Sequence, residues 1–336
     1  MQALVLRSAG ELAVADVDTP QPRHADVLVR VRTSGICGTD LKFCTGAVPV
    51  AYPLIMGHAM AGEVVSGVND RVTPGQRVLV DPVLFCGTCL DCRAGRTNLC
   101  ANGGIIGREV NGGFADFVAA PRTHVHLLPD SIDTRSAPAI QVLTTCVHAQ
   151  RRASVGAGQS VAVVGLGVSG QLHAQLARAR GATMVIGLSR SAWKRQIAGR
   201  LGAHVTSSSG DAAIAAVKDA TGGHGADVVI ECTGHMKALA DAIAMVRPGG
   251  TIVLFGIYTD REAALPFYQL YFKEPTIVSA RAATSEDFPE SIGLVARGAV
   301  SLSPLITHIV PVTQLREALA MLEDDVDGRM KIILEH

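Results

Sequence analysis

The stretch VAVVGLGVSG, residues 161–170, constrains this chain more than any other. Its four small apolar residues, Val161 to Val164, read as a buried parallel strand. Gly165, Gly167 and Gly170 then fill a G-x-G-x-x-G pattern, with Val168 in the same turn, ahead of a helical run over 171–180. The three glycines serve different ends. One allows a tight turn at the strand end, one leaves a bare backbone where a pyrophosphate approaches, and one lets helix pack closely on strand. The phosphates then meet the positive helix N-terminus. In a chain with 35 glycines such a match is weak alone. Here strand, turn and helix follow in the order a dinucleotide site requires.

The alternation continues. Strands are predicted over 184–188, 227–231 and 251–255, with helices over 192–201, 212–220 and 237–246 between them. This is the pattern of a doubly wound parallel sheet covered on both faces, in the α/β class. An NAD site wants Asp or Glu at the end of the second strand, to take the ribose hydroxyls. Ser189 stands there instead, with Arg190 beside it and Lys194 close behind. A serine and a guanidinium bind a 2′-phosphate that a carboxylate would repel, so NADP(H) is predicted over NAD. The alternative, that Arg190 only caps a solvated helix start, stays open at this point. Thr233, in the segment from Glu231 to Gly234, and Phe255 and Gly256 lie at the carboxyl ends of later strands, where open sheets bind ligands. Cys232 reads as packing, and residues 247–250 as a tight turn from helix to strand.

Thirty basic and thirty acidic side chains balance, so no nucleic acid or anionic membrane is predicted as a partner. Although 48% of the residues are hydrophobic, no apolar run reaches the eighteen or so that a membrane span needs. Residues 1–7, MQALVLR, lack the marks of a signal peptide, and a cytoplasmic location is expected. In a reducing cytosol the eight cysteines point to metal ligation or chemistry more than to disulfides.

The first third reads as β-rich, with short runs over 4–6, 27–31, 63–66 and 77–80 separated by turn signals. Between them lie SGICGTDLK, residues 34–42, and MGHAMAGEVV, residues 56–65. The most specific signal is CGTCLDCRAGRTNLC, where Cys86, Cys89, Cys92 and Cys100 gather four thiolates in one loop. That set suits a closed tetrahedral zinc. A redox Cys-x-x-Cys pair and an iron–sulfur cluster are the competing readings.

In this order, the Cys-Gly-Thr-Asp segment, the Gly-His segment, the four-cysteine lobe and the later glycine turn resemble the zinc-containing medium-chain alcohol, polyol and sugar dehydrogenase family. The likeness spans essentially the whole chain. It implies a GroES-like β-rich catalytic domain from residues 1–150 and 275–336, which carries the structural zinc lobe. It also implies an inserted Rossmann domain, 151–274, with the nicotinamide bound between them. The resemblance makes Cys37 and His58 ligands of a second, catalytic zinc. Thr39 becomes the hydroxyl that passes a proton to and from the substrate oxygen, Asp40 the carboxylate that orients His58, and Lys42 the far end of a proton relay. Two departures stand out: Ala59 replaces the usual Glu after His58, and the third ligand position falls on Gln141, with Cys146 as its rival.

The implied activity is zinc-dependent, NADP(H)-linked hydride transfer between a secondary alcohol, on a polyol, cyclitol or sugar-like compound, and its ketone. A zinc-independent NADPH quinone or enone reductase of the same fold and a non-catalytic NADPH-binding sensor are the alternatives. Relatives imply a homodimer or homotetramer. Phe267, Tyr268, Tyr271 and Phe272 are read as core or subunit interface.

Overall fold

The structure, a computed structural model, describes residues 1–23, 26–67, 72–259, 262–322 and 327–336. The chain divides into two units: 1–142 with 284–296 and 305–336, and 143–283 with 297–304.

The first unit is built of β-sheet. In the strand Asp26–Gly35, Val27, Val29 and Val31 are buried while Arg30 and Arg32 face out, the period of two that a half-covered strand requires. It pairs antiparallel with Met60–Ser66, with Phe117–Pro121 and with Lys331–Glu335. Early and late residues therefore share one seven-stranded sheet. A separate three-stranded sheet contains Gln2–Ser8, Glu11–Asp16 and Leu54–Ile55.

The second unit holds a six-stranded sheet, parallel throughout, in the order Val205–Ser207, Met184–Leu188, Ser160–Val164, Ala226–Glu231, Val246–Leu254, Thr276–Ser279. Val161 and Val163 pack into one buried cluster with Val185, Val228 and Ile230. Ala162 and Val164 pack into another with Ile186, Leu188 and Val229. Successive residues thus feed two cores on opposite faces, which is why these strands are apolar without alternation. The order reverses between Ser160–Val164 and Ala226–Glu231, and at such a point open sheets form a ligand crevice.

Two expectations are corrected and a third is narrowed. The chain does not leave the sheet at 275: Thr276–Ser279 adds a sixth strand beside Val246–Leu254, and the unit continues to 283. It also regains residues 297–304, because the Gln175 amide donates to Ser301 O at 3.1 Å and accepts Ser301 N at 2.8 Å. Residues 247–250 are not a free turn. They open the strand Val246–Leu254 with a register irregularity, where Arg247 pairs with Asp227 at 2.7 Å. Finally, the aromatic quartet is not core: Phe267, Tyr268, Tyr271 and Phe272, on the helix Phe267–Lys273, are 62% to 78% exposed. Among the described residues no helix is long and apolar enough to cross a membrane.

Candidate active site

The helix Gly38–Cys44 begins at Cys37, whose extended backbone makes it the cap. Asp40, the third helical residue, reaches back so that its Oδ2 accepts Cys37 N at 2.8 Å. A Cys-Gly-Thr-Asp spacing is therefore also a helix-capping spacing: the acid falls where the first turn leaves an unpaired N–H. The other oxygen of the same buried carboxylate, Oδ1, lies 3.2 Å from His58 Nδ1. One side chain thus ties the helix start to the loop that carries His58, and it holds Nδ1 against the carboxylate, so that Nε2 is the ring nitrogen turned away from it.

Cys37 and His58 are within hydrogen-bonding reach of each other. Burial alone would raise the thiol, but the hydrogen bond and charge of His58 outweigh it and Cys37 is lowered to about 7; Asp40 opposes this and Lys331 assists. Burial alone would lower His58, yet the charge and hydrogen bond of Asp40, joined by Cys37, raise it to about 10. Cys37 Sγ also donates to Thr39 Oγ1 at 3.6 Å. Lys42 stands in the last turn of the same helix, and the contacts that join Cys37, Asp40 and His58 do not include it.

Sequence reasoning missed Lys331. Its nearly inaccessible ammonium donates to Ile36 O at 2.8 Å, and a Cβ on Gly35 would press on its Cε at 2.8 Å. The only signal was a lysine opening a strand whose next three residues are apolar.

Gln141, half-buried, is on the first turn of the helix Ala139–Arg152. Cys146 is fully buried in the second unit and donates to Ser169 O at 3.7 Å. Burial pushes its thiol far up, which fits packing and not ligation. Among the described residues no third Cys, His, Asp or Glu joins Cys37 and His58 in a ligand cluster.

The lobe is a complete candidate metal site. The four sulfurs of Cys86, Cys89, Cys92 and Cys100 lie within 4.8 Å of one another, and Cys89 and Cys100 are 3.9 Å apart. Tetrahedral zinc with ordinary zinc–sulfur bonds puts its sulfurs about 3.8 Å apart, so the donor set fits that ion. Cys86 Sγ receives Thr88 Oγ1 at 3.6 Å and Cys89 N at 3.4 Å. Donors on Thr88 and Cys89 lower its pKa to about 5 and favour the thiolate that a metal takes.

In the second unit the glycine turn divides its work. Gly165 has φ +91°, and a Cβ there would lie 2.5 Å from Thr233 Cγ2. A Cβ on Gly170 would overlap the Gly165 carbonyl oxygen, so helix Val168–Ala179 seats against the turn only without a side chain. A Cβ on Gly167, the cap residue, would meet no protein atom within 4 Å. That open face at the start of a helix fits a diphosphate.

At the end of the second strand Ser189 is buried and Arg190 exposed. Ser191, not Arg190, caps the next helix, accepting Lys194 N on its Oγ at 3.0 Å. Arg195, which sequence reasoning missed, donates to Ser189 O at 2.6 Å and Arg190 O at 2.8 Å. It holds the backbone of the segment from which Ser189 and Arg190 project. Cys232 packs against a core cluster, as does Phe255.

Residues 169–297 match the zinc-binding dehydrogenase family, and residues 23–130 the alcohol dehydrogenase GroES-like domain. The chain is 32% identical to L-galactonate-5-dehydrogenase of Escherichia coli strain K12, over 99% of this chain and 97% of that one. It is 31% identical to a sorbitol dehydrogenase of Halalkalibacterium halodurans, over 95% of each. Among solved structures, a zinc-binding dehydrogenase from Sinorhizobium meliloti 1021 bound to NADP superposes with a TM-score of 0.93 at 32% identity, covering 100% of this chain and 99% of that one.

Proposed function

The chain belongs to the zinc-binding medium-chain dehydrogenase/reductase family, and from that premise we propose that it is an NADP(H)-linked oxidoreductase acting on a polyol, cyclitol or sugar-like secondary alcohol and its ketone. The observation that carries this reading is the joined set of Cys37, His58 and Asp40, a thiol and an imidazole side by side with a buried carboxylate behind the imidazole. When bound, zinc supplies Lewis-acid stabilisation of charge on a substrate oxygen, and NADP(H) supplies or accepts the hydride.

The residues of the chain do the rest. Cys37 and His58 Nε2 would hold the metal, and Asp40 keeps the proton of His58 on Nδ1. Lys331 offsets the negative charge that Cys37 and Asp40 bring into the site. The Thr39 hydroxyl moves a proton to and from the substrate oxygen, with Lys42 as the outer end of the relay. Gln141 offers a neutral amide oxygen as third donor, weaker than a carboxylate. The lobe of Cys86, Cys89, Cys92 and Cys100 would hold a second zinc with no open position.

Gly165, Gly167, Val168 and Gly170 would receive the pyrophosphate. Ser189, Arg190 and Lys194 take the 2′-phosphate, and Thr233, Phe255 and Gly256 border the nicotinamide. The NADP carried by the Sinorhizobium meliloti relative supports the choice of cofactor. The names of the galactonate and sorbitol enzymes support a polyhydroxylated substrate. We further propose a homodimer: Thr276–Ser279 is an edge strand, and the helix Phe267–Lys273 that precedes it in the chain exposes four aromatic rings that a second copy would cover. Cysteines that serve as metal ligands and packing, with no disulfide among the described residues, suit a reducing cytoplasm.

Two measurements test the proposal. Metal analysis should find two zinc ions per chain, and a screen of polyols and sugar acids should find NADP⁺-dependent oxidation that Cys37→Ala abolishes. The absence of a third acidic or thiolate ligand beside Cys37 and His58 among the described residues favours one rival, a zinc-independent NADPH reductase. That reading requires a single zinc and turnover that survives Cys37→Ala.

A further inference from the structure

At the carboxyl ends of two neighbouring strands, one residue gathers two loops. Glu231 ends the strand Ala226–Glu231 and has no exposed surface. Among the described residues, the donors that reach its carboxylate are neutral. Oε1 accepts Thr233 N at 2.6 Å and the Thr233 hydroxyl; Oε2 accepts Gly234 N at 2.9 Å and the Tyr258 hydroxyl at 2.7 Å. The carbonyl of the same residue accepts Phe255 N at 3.0 Å and Gly256 N at 2.9 Å. Phe255 is braced a second time by the buried ring of His173, which meets it edge-on with centroids 4.5 Å apart.

Burying a carboxylate costs heavily unless its lone pairs are filled. Here they are filled by the two loops that follow Ala226–Glu231 and Val246–Leu254. The sheet order shows which part of a dinucleotide these loops face. The glycine turn follows Ser160–Val164, and the Ser189 and Arg190 segment follows Met184–Leu188 on one side of it. Ala226–Glu231 and Val246–Leu254 lie on the other side. A ligand with its 2′-phosphate at Arg190 and its diphosphate at the turn must lay its nicotinamide half across the loops that Glu231 ties.

We infer that Glu231 and Tyr258 are positioning residues for the nicotinamide half of the cofactor, holding residues 232–234 and 255–258 in the shape that receives it. The inference rests on the dinucleotide reading of this sheet. Glu231→Gln puts an amide N–H among donors, and Tyr258→Phe removes one donor with little change of shape.

The test compares two ligands on the full-length protein: NADPH, and 2′-phospho-ADP-ribose, which lacks the nicotinamide. Hydrogen bonds to a charged group are worth enough for Glu231→Gln to raise the Kd for NADPH about tenfold or more, and for Tyr258→Phe to raise it about threefold. The Kd for 2′-phospho-ADP-ribose should stay within about twofold. KM for NADPH should rise with Kd, a change that a purely structural lesion, seen only in the melting temperature, does not produce. Equal losses for both ligands, or unchanged NADPH binding in both variants, overturn the inference while the dinucleotide reading stands. Failure of the unmodified protein to bind NADPH overturns both. If Glu231→Gln does not fold, the same comparison on Tyr258→Phe decides.

Discussion

Asp40→Asn is the sharpest test of the site in the first unit. The native carboxylate serves two donors with two oxygens: Cys37 N at 2.8 Å and His58 Nδ1 at 3.2 Å. Asparagine has one oxygen and one amide nitrogen, so one of the two donors must face another N–H. If the oxygen stays on His58, the helix cap at Cys37 is left unpaired in a half-buried place, at a cost of about 1 kcal/mol or more. If it turns to Cys37, the amide faces Nδ1, drives the proton of the imidazole onto Nε2 and so blocks the nitrogen that would bind metal. Changes to groups that orient a metal-bound histidine weaken metal binding by about 10–100-fold, or about 1.4–2.7 kcal/mol. Competition with a chromophoric chelator, with zinc counted by atomic spectroscopy, should show one zinc per chain becoming easily removed while the lobe zinc stays. Two zinc ions held as tightly as in the unmodified protein, with an unchanged melting temperature, would refute the reasoning.

Other outcomes follow from the same geometry. Ser189→Asp should lower the preference for NADPH over NADH by about 10–100-fold, because a carboxylate replaces a neutral group beside the 2′-phosphate; an unchanged ratio of the two Kd values counts against Arg190 and its neighbours as the phosphate site. Gly167→Ala should leave the melting temperature nearly unchanged yet weaken NADPH binding, since its Cβ meets only the space the ligand needs. Gly170→Ala should destabilise the fold, because its Cβ overlaps the Gly165 carbonyl; equal melting temperatures for the two variants contradict this division of labour. In the first unit, burial pushes the Asp81 carboxyl up to about 7, against hydrogen bonds from Ser285 and Val83 N that lower it, with Asp287 adding to the rise. The folded protein therefore holds this proton more tightly than the unfolded chain, so the stability from it is full below about 4 and lost as pH rises through about 7. Asp81→Asn, which keeps the neutral shape, should flatten the pH dependence of the urea midpoint between about pH 4 and 8, and an identical slope would exclude Asp81 as its source.

The parts legible in the sequence are those whose geometry is local. The glycine turn, the four-cysteine loop and the Cys-Gly-Thr-Asp cap each draw their shape from residues a few positions apart, so spacing alone carries them. What escaped depends on distant partners. Lys331 lies 295 residues from the Ile36 carbonyl it caps, and Ser301 lies 126 residues from Gln175. Neither pairing leaves a trace in spacing. The strand Thr276–Ser279 is four residues long and mostly exposed at the sheet edge, too short to show periodicity. Aromatic residues at helical spacing read the same whether buried or exposed, and only the fold shows that Phe267, Tyr268, Tyr271 and Phe272 face outward.

The pairing of Lys331–Glu335 with Asp26–Gly35 has a consequence for how the protein is made. A ribosome adds about 5–20 residues per second, so His58 emerges tens of seconds before Lys331. All strands of the parallel sheet are complete by Ser279, and that half can assemble while synthesis continues. The Ile36 carbonyl beside Cys37 must wait for Lys331, 295 residues further along the chain, before its buried ammonium partner is in place. A metal held by Cys37 and His58 would therefore meet its final surroundings only after residues 331–335 have been made and paired.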